Sequence, residues 1–288
     1  PLSPINLTNN YTNTADASGI YPVGTTNVVW TATDAAGNTA TCSFDVTVED
    51  NEAPEITCVA DATRDTDLGV CEYTVVGTEF DATFTDNCIT GVITNDLNSS
   101  ATIAGVVLPL GDTTVVWTVN DGNGQTDTCT TVITVEDNED PTITLNGAAT
   151  VTVEVGGIFI DDEATASDNC ADTIPLTSSI AIISNVNTLL LGSYTVTYNV
   201  TDANGNIAAT VTRTVHVVDT TLPVITLVGS NPQIIDVNTP YLELSATASD
   251  NYDGDISANI VIDYSAVDLT TVGSYLVTYS VSDSSVNN

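Results

Sequence analysis

The chain has 288 residues, 38 acidic side chains and only two basic ones, Arg64 and Arg213, so its formal net charge is −36. A surface of this sign repels nucleic acid and anionic membranes, and a single histidine, His216, leaves no set of His-centred catalytic residues to build in each part of the chain. Six cysteines without a CxxC pair suit disulfides in an oxidising compartment better than zinc.

The first clear element begins at Gly24, where the chain reads GTTNVVWTATD. Val28, Trp30 and Ala32 alternate with Val29, Thr31 and Thr33, the period of a half-buried strand. AAGN at 35–38 breaks it, and Phe44, Val46 and Val48 alternate again. Gly and Asn supply the positive φ of a tight turn, so Thr31–Cys42, TATDAAGNTATC, is strand, turn, strand. VEDNEAPEIT follows from Val48.

The same phrases then return. GDTTVVWTVND opens at Gly111, GSYTVTYNVTD at Gly192 and GSYLVTYSVSD at Gly273, the last with Tyr275, Val277, Tyr279 and Val281 on one face. VEDNEDPTIT recurs at Val135 and VVDTTLPVIT at Val217, and an Asp-Asn pair stands at Asp86, Asp168 and Asp250. All three markers keep one period of roughly 80–90 residues, too long for a solenoid and right for a small domain. No segment carries a 3.6-residue apolar period. Short strands separated by turn signals predict an all-β chain of tandem Ig-like sandwiches, about seven strands each, forming an elongated rod. Trp30, Trp117, Tyr198 and Tyr279 fall at equivalent positions, and their register with inward valines predicts core packing rather than a sugar-binding platform.

Residues 31–58, TATDAAGNTATCSFDVTVEDNEAPEITC, resemble the hyalin-repeat family, Ig-like modules with four characteristic cysteines. Residues 1–50 match the second half of that module and 51–137 the whole, with Cys58, Cys71, Cys88 and Cys129. Residues 138–219 and 220–288 resemble the related bacterial Ig-like surface repeat, with PTITL or PVITL at the start and ATASDN before the third strand. The last of them stops before its final strand, so the expectation is a window on a longer repeat protein. Four cysteines allow three connectivities; the positions they would take in an Ig-like sandwich favour Cys58–Cys88, leaving Cys71–Cys129. Cys42 matches Cys129, and its partner is expected before Pro1. Cys170 is expected to be unpaired, a small buried hydrophobe.

In such a fold the incoming linker, the loop after the second strand and the last hairpin turn meet at one end of each sandwich. Oxygen ligands then converge at three junctions: Asp50, Glu52, Asp86, Asn87 and Asp121; Asp137, Glu139, Asp140, Asp168, Asn169 and Asp202; Asp219, Asp250, Asn251, Asp253, Asp255 and Asp283. Calcium takes six to eight such oxygens, and DNYDGDIS at Asp250 is the best single run, although no Glu closes an EF-hand loop. The competing reading is that Asp and Asn serve turn geometry.

Together these features predict a non-enzymatic structural segment of a large extracellular cell-surface fibre or adhesin, serving attachment, motility or contact with prey. The family resemblance implies giant secreted proteins of Bacteroidota-type bacteria, neighbouring repeats and further copies as partners, and glycans or proteins as targets. The alternatives are a spacer array in a secreted carbohydrate-active enzyme, or a carbohydrate- or protein-binding module.

Overall fold

The structure, a computed structural model, describes residues 4–88, 91–171 and 174–287. It falls into two compact units, Pro1–Asp137 and Asn138–Asn288. Among the described residues there are strands, turns and two short 3-10 turns, and no α-helix.

The first unit opens with a three-stranded antiparallel sheet, β1 (Asn6–Asn9), β2 (Gly24–Thr33) and β3 (Thr39–Val48). The predicted hairpin is continuous from Gly24↔Val48 to Thr33↔Thr39. The turn closes on Asp34, whose Oδ1 accepts the backbone N–H groups of Ala36 and Asn38, both at 2.9 Å. Eight strands follow rather than seven: β4 (Glu55–Thr57), β5 (Ala62–Asp65), β6 (Glu72–Thr74), β7 (Thr83–Thr85), β8 (Val92–Asn95), β9 (Val107–Pro109), β10 (Gly111–Asn120) and β11 (Thr126–Glu136). They form one sheet ordered β5-β11-β10-β8 and the pairs β4-β7 and β6-β9. Alternation places Val115, Trp117 and Val119 of β10 inward, and Ile133 and Val135 of β11 join them. Ile56, Tyr73 and Leu108 from the paired strands close the same core, which makes the arrangement a sandwich.

The second unit repeats the plan. Its strands are β12 (Thr142–Leu145), β13 (Thr150–Glu154), β14 (Ala164–Ser167), β15 (Ala181–Ser184), β16 (Gly192–Asn199) and β17 (Val211–Val218), then β18 (Val224–Leu227), β19 (Ala246–Asp250), β20 (Gly254–Asp255), β21 (Val261–Asp263) and β22 (Thr278–Ser280). The sheet β13-β17-β16-β15 faces the pair β12-β14 over Ile143, Val196, Tyr198 and Val215. Of the four equivalent aromatics, Trp117 and Tyr198 are fully buried, as expected of core residues, while Trp30 and Tyr279 are half-buried.

Two expectations need correction. The strand predicted from Gly273 pairs only over Thr278–Ser280, against Val261–Asp263. Its counterpart β16 is held along its length by β17, from Gly192↔Val217 to Tyr198↔Val211; among the described residues no strand pairs with Gly273–Val277. One disulfide joins Cys58 to Cys129 rather than to Cys88, so Cys71, itself disulfide-bonded, is not joined to Cys129. Cys88 is a free thiol, as is the exposed Cys42, and Cys170 is disulfide-bonded rather than unpaired. The reason lies in the chain path after β4. Asp127 accepts the Ile56 N–H at 3.1 Å and the Thr131 hydroxyl donates to the Val59 carbonyl at 2.9 Å, so residues 56–59 run along β11 and bring Cys58 to Cys129.

Both arginines are consumed by folding. Arg213 is wholly buried. It donates to Asp161, to the carbonyls of Asn146 and Ala148, and to that of Glu163 at 3.2 Å, beneath the Tyr198 ring. The Tyr198 hydroxyl donates to the same Asp161 oxygen at 2.6 Å, and its pKa is raised, first by burial and then by that bond. Arg64 is half-exposed, ion-paired with Glu79 at 2.7 Å and set over the Phe80 ring.

These environments predict unequal costs. Arg213→Met strands a carboxylate and three carbonyls and should destabilise the second unit by about 3–5 kcal/mol, whereas Arg64→Met should cost about 1 kcal/mol or less; urea unfolding of the full chain reads both, and equal costs would refute the assignment. The bridge closes a separation of 71 residues. Replacing Cys58 and Cys129 together by Ala should remove about 4 kcal/mol from the first unit on the chain-entropy estimate. Peptide mapping without reductant should recover the two cysteines in one linked pair.

Candidate metal centre

The strongest site lies in the second unit where β17 hands over to β18. Three stretches meet there because the fold brings them to one end: Asp219 just after β17, the turn from Asp250 to Gly254 that joins β19 to β20, and the turn that follows β22. Asp219, Asp250 and Asp253 each offer a carboxylate oxygen within 4.8 Å of the others. Asp219 and Asp283 are both 7% exposed, and the Oδ2 atom of each is buried with no hydrogen-bond partner. A buried carboxylate oxygen without a donor is costly.

The turn after β22 is tied into the cluster. Ser284 donates its N–H and hydroxyl to Asp253 at 2.6 and 2.8 Å, and the Asn287 amide donates to the Asp219 carbonyl at 3.0 Å. Burial pushes the Asp219 carboxyl up from its ordinary value, and the negative charges of Asp250 and Asp283 push it further. Turned so that both ends of its amide are satisfied, Asn251 donates to Asp250 Oδ2 and Asp219 Oδ1, each at 3.2 Å, and so ties the two carboxylates together.

Glu154, at the end of β13, is a residue sequence reading missed. Its carboxylate accepts both the N–H and the hydroxyl of Thr220 and of Thr221, the hydroxyls at 2.8 and 2.7 Å. Those hydroxyls, Thr221 first, hold its pKa down to about 2. It clamps the segment that presents Asp219. Nothing local in VTVEVGG marks this, since the partners lie more than 60 positions away. Asp255 does not join the cluster; it accepts the N–H and hydroxyl of Ser257 at 3.0 and 2.6 Å.

The other candidate sets differ. In the first unit, amides occupy the carboxylates: Asn123 on Asp50 at 3.0 Å and Asn87 on Glu52 at 2.7 Å. Asp121 Oδ1 is taken by the N–H groups of Asn123, Gly124 and Gln125, and Asn87 donates its own N–H to Asp86. Asp50, Glu52, Asp86, Asn87 and Asp121 make these turn and linker contacts, and no group of three of their carboxylates converges among the described residues. Of the middle set, Asp137 is buried at the end of the first unit. In the second unit Asp202 Oδ1 accepts Asn204, Gly205 and Asn206, Asn169 donates to Glu139 at 3.3 Å and Cys170 to Asp168 at 3.3 Å. Asp140 lies between β11 and β12.

Comparison with known proteins agrees with this build. The HYR domain family matches residues 5–48 and 49–135, and the family described as bacterial surface protein, Ig-like domain, matches 143–217 and 225–288. Hyalin of Lytechinus variegatus is 32% identical over 96% of this chain, and hyalin of Strongylocentrotus purpuratus 30% identical over 95%. The chain spans 53% of the first and 23% of the second. Among solved structures, a protocadherin gammaB7 EC3-6 cis-dimer structure is 16% identical over 91% of this chain and 82% of that one, with a TM-score of 0.34. The chain is therefore similar to HYR domains over its first half and to bacterial surface Ig-like domains over its second.

Proposed function

We propose that the chain is a structural segment of an extracellular cell-surface fibre or adhesin, built from consecutive Ig-like repeats, and that calcium bound between repeats stiffens it. The observation that carries this reading is the cluster of Asp219, Asp250 and Asp253, whose carboxylate oxygens lie within 4.8 Å of one another beside a buried Asp219 oxygen that has no hydrogen-bond partner. The converging groups are carboxylates, which suit calcium over softer metals. The site joins the segment after β17 to the turns beyond β19 and β22, so an ion there would tie together the ends of two sandwiches at Glu154-clamped Thr220 and Thr221.

Location outside the cell is supported by the Cys58–Cys129 disulfide and by the surface-protein family matched over the second half. The families matched are repeat families rather than enzyme families, which supports a mechanical role. Repeats of this kind, presented in series, would meet copies of themselves or glycans and proteins on another surface.

Calorimetry of the full chain tests the calcium reading. After exhaustive chelation, calcium at about 100 times its Kd should stabilise the second unit by about 2.7 kcal/mol, a rise in Tm of roughly 5–10 °C. The variant D219N/D250N/D253N should lose that rise. An equal rise in potassium chloride of matched ionic strength would mean plain screening of charge and would defeat the proposal. The fibre reading is tested separately by gold-labelled antibodies on the native cells, where filaments are expected and a purely dispersed secreted protein would count against it.

A further inference from the structure

Three asparagines of the chain stand directly before a glycine: Asn123, Asn146 and Asn204. In such a pair the glycine amide nitrogen can reach the asparagine side-chain carbonyl, because no Cβ stands in its way. Two of the three are held back. Gly124 donates its N–H to Asp121 at 3.0 Å and Gly205 donates its own to Asp202 at 2.7 Å, so each nitrogen is committed to a carboxylate. The third differs. Asn146 and Gly147 are exposed in the loop between β12 and β13, and neither the Asn146 side chain nor the Gly147 N–H has a hydrogen-bond partner among the described residues.

The fold requires this glycine but not this asparagine. Gly147 has φ 73°, and a Cβ there would fall 2.2 Å from Asp162 Oδ2. The next sandwich makes the same loop. Leu145↔Ala164 and Leu227↔Ala246 end the equivalent ladders, and the next residues, Asn146 and Val228, donate their N–H groups to the carbonyls of Glu163 and Ser245, both at 3.1 Å. Gly229 follows Val228 with φ 92°, and a Cβ on it would meet Leu244 at 2.3 Å. Val228 thus builds the turn without an amide, so the Asn146 side chain is not spent on turn geometry. Only the main chain of Asn146 is pinned, its carbonyl accepting the buried Arg213 guanidinium.

We infer that Asn146 is a modification site, at which the folded chain deamidates through its own backbone. The Gly147 nitrogen loses its proton to solvent base and bonds to Asn146 Cγ. The bond from Cγ to the side-chain nitrogen breaks, and that nitrogen takes up a proton and leaves as ammonia. The cyclic imide then adds one water. Opening at Cγ gives aspartate, and opening at the main-chain carbonyl carbon gives isoaspartate; nothing is oxidised or reduced. In the isoaspartate product the new carboxylate is built on the carbonyl that Arg213 holds, so the added negative charge arises beside one of the two positive ones in the chain. The inference does not depend on cation binding at Asp219.

The full chain, incubated folded or in urea at neutral to mildly alkaline pH, provides the test. Each Asn-Gly pair is followed by chymotryptic mass mapping and by enzymatic methylation of isoaspartate. In the folded chain Asn146 should convert about tenfold faster, or more, than Asn123 and Asn204, the factor that charge-assisted hydrogen bonds on Gly124 and Gly205 supply, and its rate should rise with pH. In urea the three should convert at similar rates, which also sets how long the folded sample is followed. Asn146→Val, which copies Val228, should abolish the fast product at an unchanged melting temperature. Equal rates at the three sites in the folded chain would overturn the inference, as would no conversion at Asn146 over the time that suffices in urea. A lead for Asn146 that persisted undiminished in urea would equally defeat it, because neighbours in sequence and not the fold would then set the rate. These comparisons use the unaltered chain, so a misfolded Asn146→Val protein would not obscure the outcome.

Discussion

The scarcity of positive charge governs this molecule. With 38 carboxylates and two arginines, almost no acidic side chain can be neutralised by a salt bridge. Each must be satisfied by neutral donors, by solvent or by ions. Both arginines go inside or against aromatic rings: Arg213 fully buried on Asp161 beneath Tyr198, Arg64 on Glu79 over Phe80. A buried guanidinium is tolerable only because carbonyls fill its remaining N–H groups, and it gathers Asn146, Ala148 and Glu163 around one point.

Backbone N–H groups do most of the remaining work. Asp34, Asp121, Asp202 and Asp283 occupy the same place in four turns; the first three each accept N–H groups two and four residues on, and Asp283 accepts that of Asn287. The repeated phrase of Asp followed by Gly and Asn is thus a turn whose donors are collected by one carboxylate oxygen. Three of the turns put a glycine at positive φ three residues after the Asp, while the fourth puts Val286 there with φ 69°. A β-branched residue rarely adopts that conformation. Glu154 shows the same economy with threonine hydroxyls. At Asp219 one carboxylate oxygen accepts the Thr221 N–H at 3.3 Å while the other is buried without a partner, close to Asp250 and Asp253.

The same comparison explains why one half of the second unit is well packed and the other is not. Val196, Tyr198 and Val215 form a core that β17 completes. In the following half Ala246, Ala248, Ile256 and Val281 are the buried apolar residues among those described, and Tyr241 and Tyr279 donate to Glu243. A similar strand phrase thus gives a long strand in one place and three paired residues in the other. A strand is stable when both of its edges and one of its faces are occupied, and propensity alone does not supply these.

By itself the sequence determined the all-β class, the period, the hairpin from Gly24 to Val48 and the inward placement of Trp117 and Tyr198, because strand alternation and turn chemistry are local and leave their mark within a dozen residues. It also placed Asp219, Asp250 and Asp253 on loops that share an end, and the structure brings an oxygen of each within 4.8 Å of the others. Tertiary structure alone decided that Cys58 bonds Cys129, that Asn123 donates to Asp50 and Asn87 to Glu52, that Asp255 turns away to Ser257, and that Glu154 holds the segment beside the cluster. Each of these depends on which atoms 60 or more positions apart, or on opposite sides of a turn, come within hydrogen-bonding or bonding distance. Distances of a few ångströms set by packing leave no periodic trace in the chain.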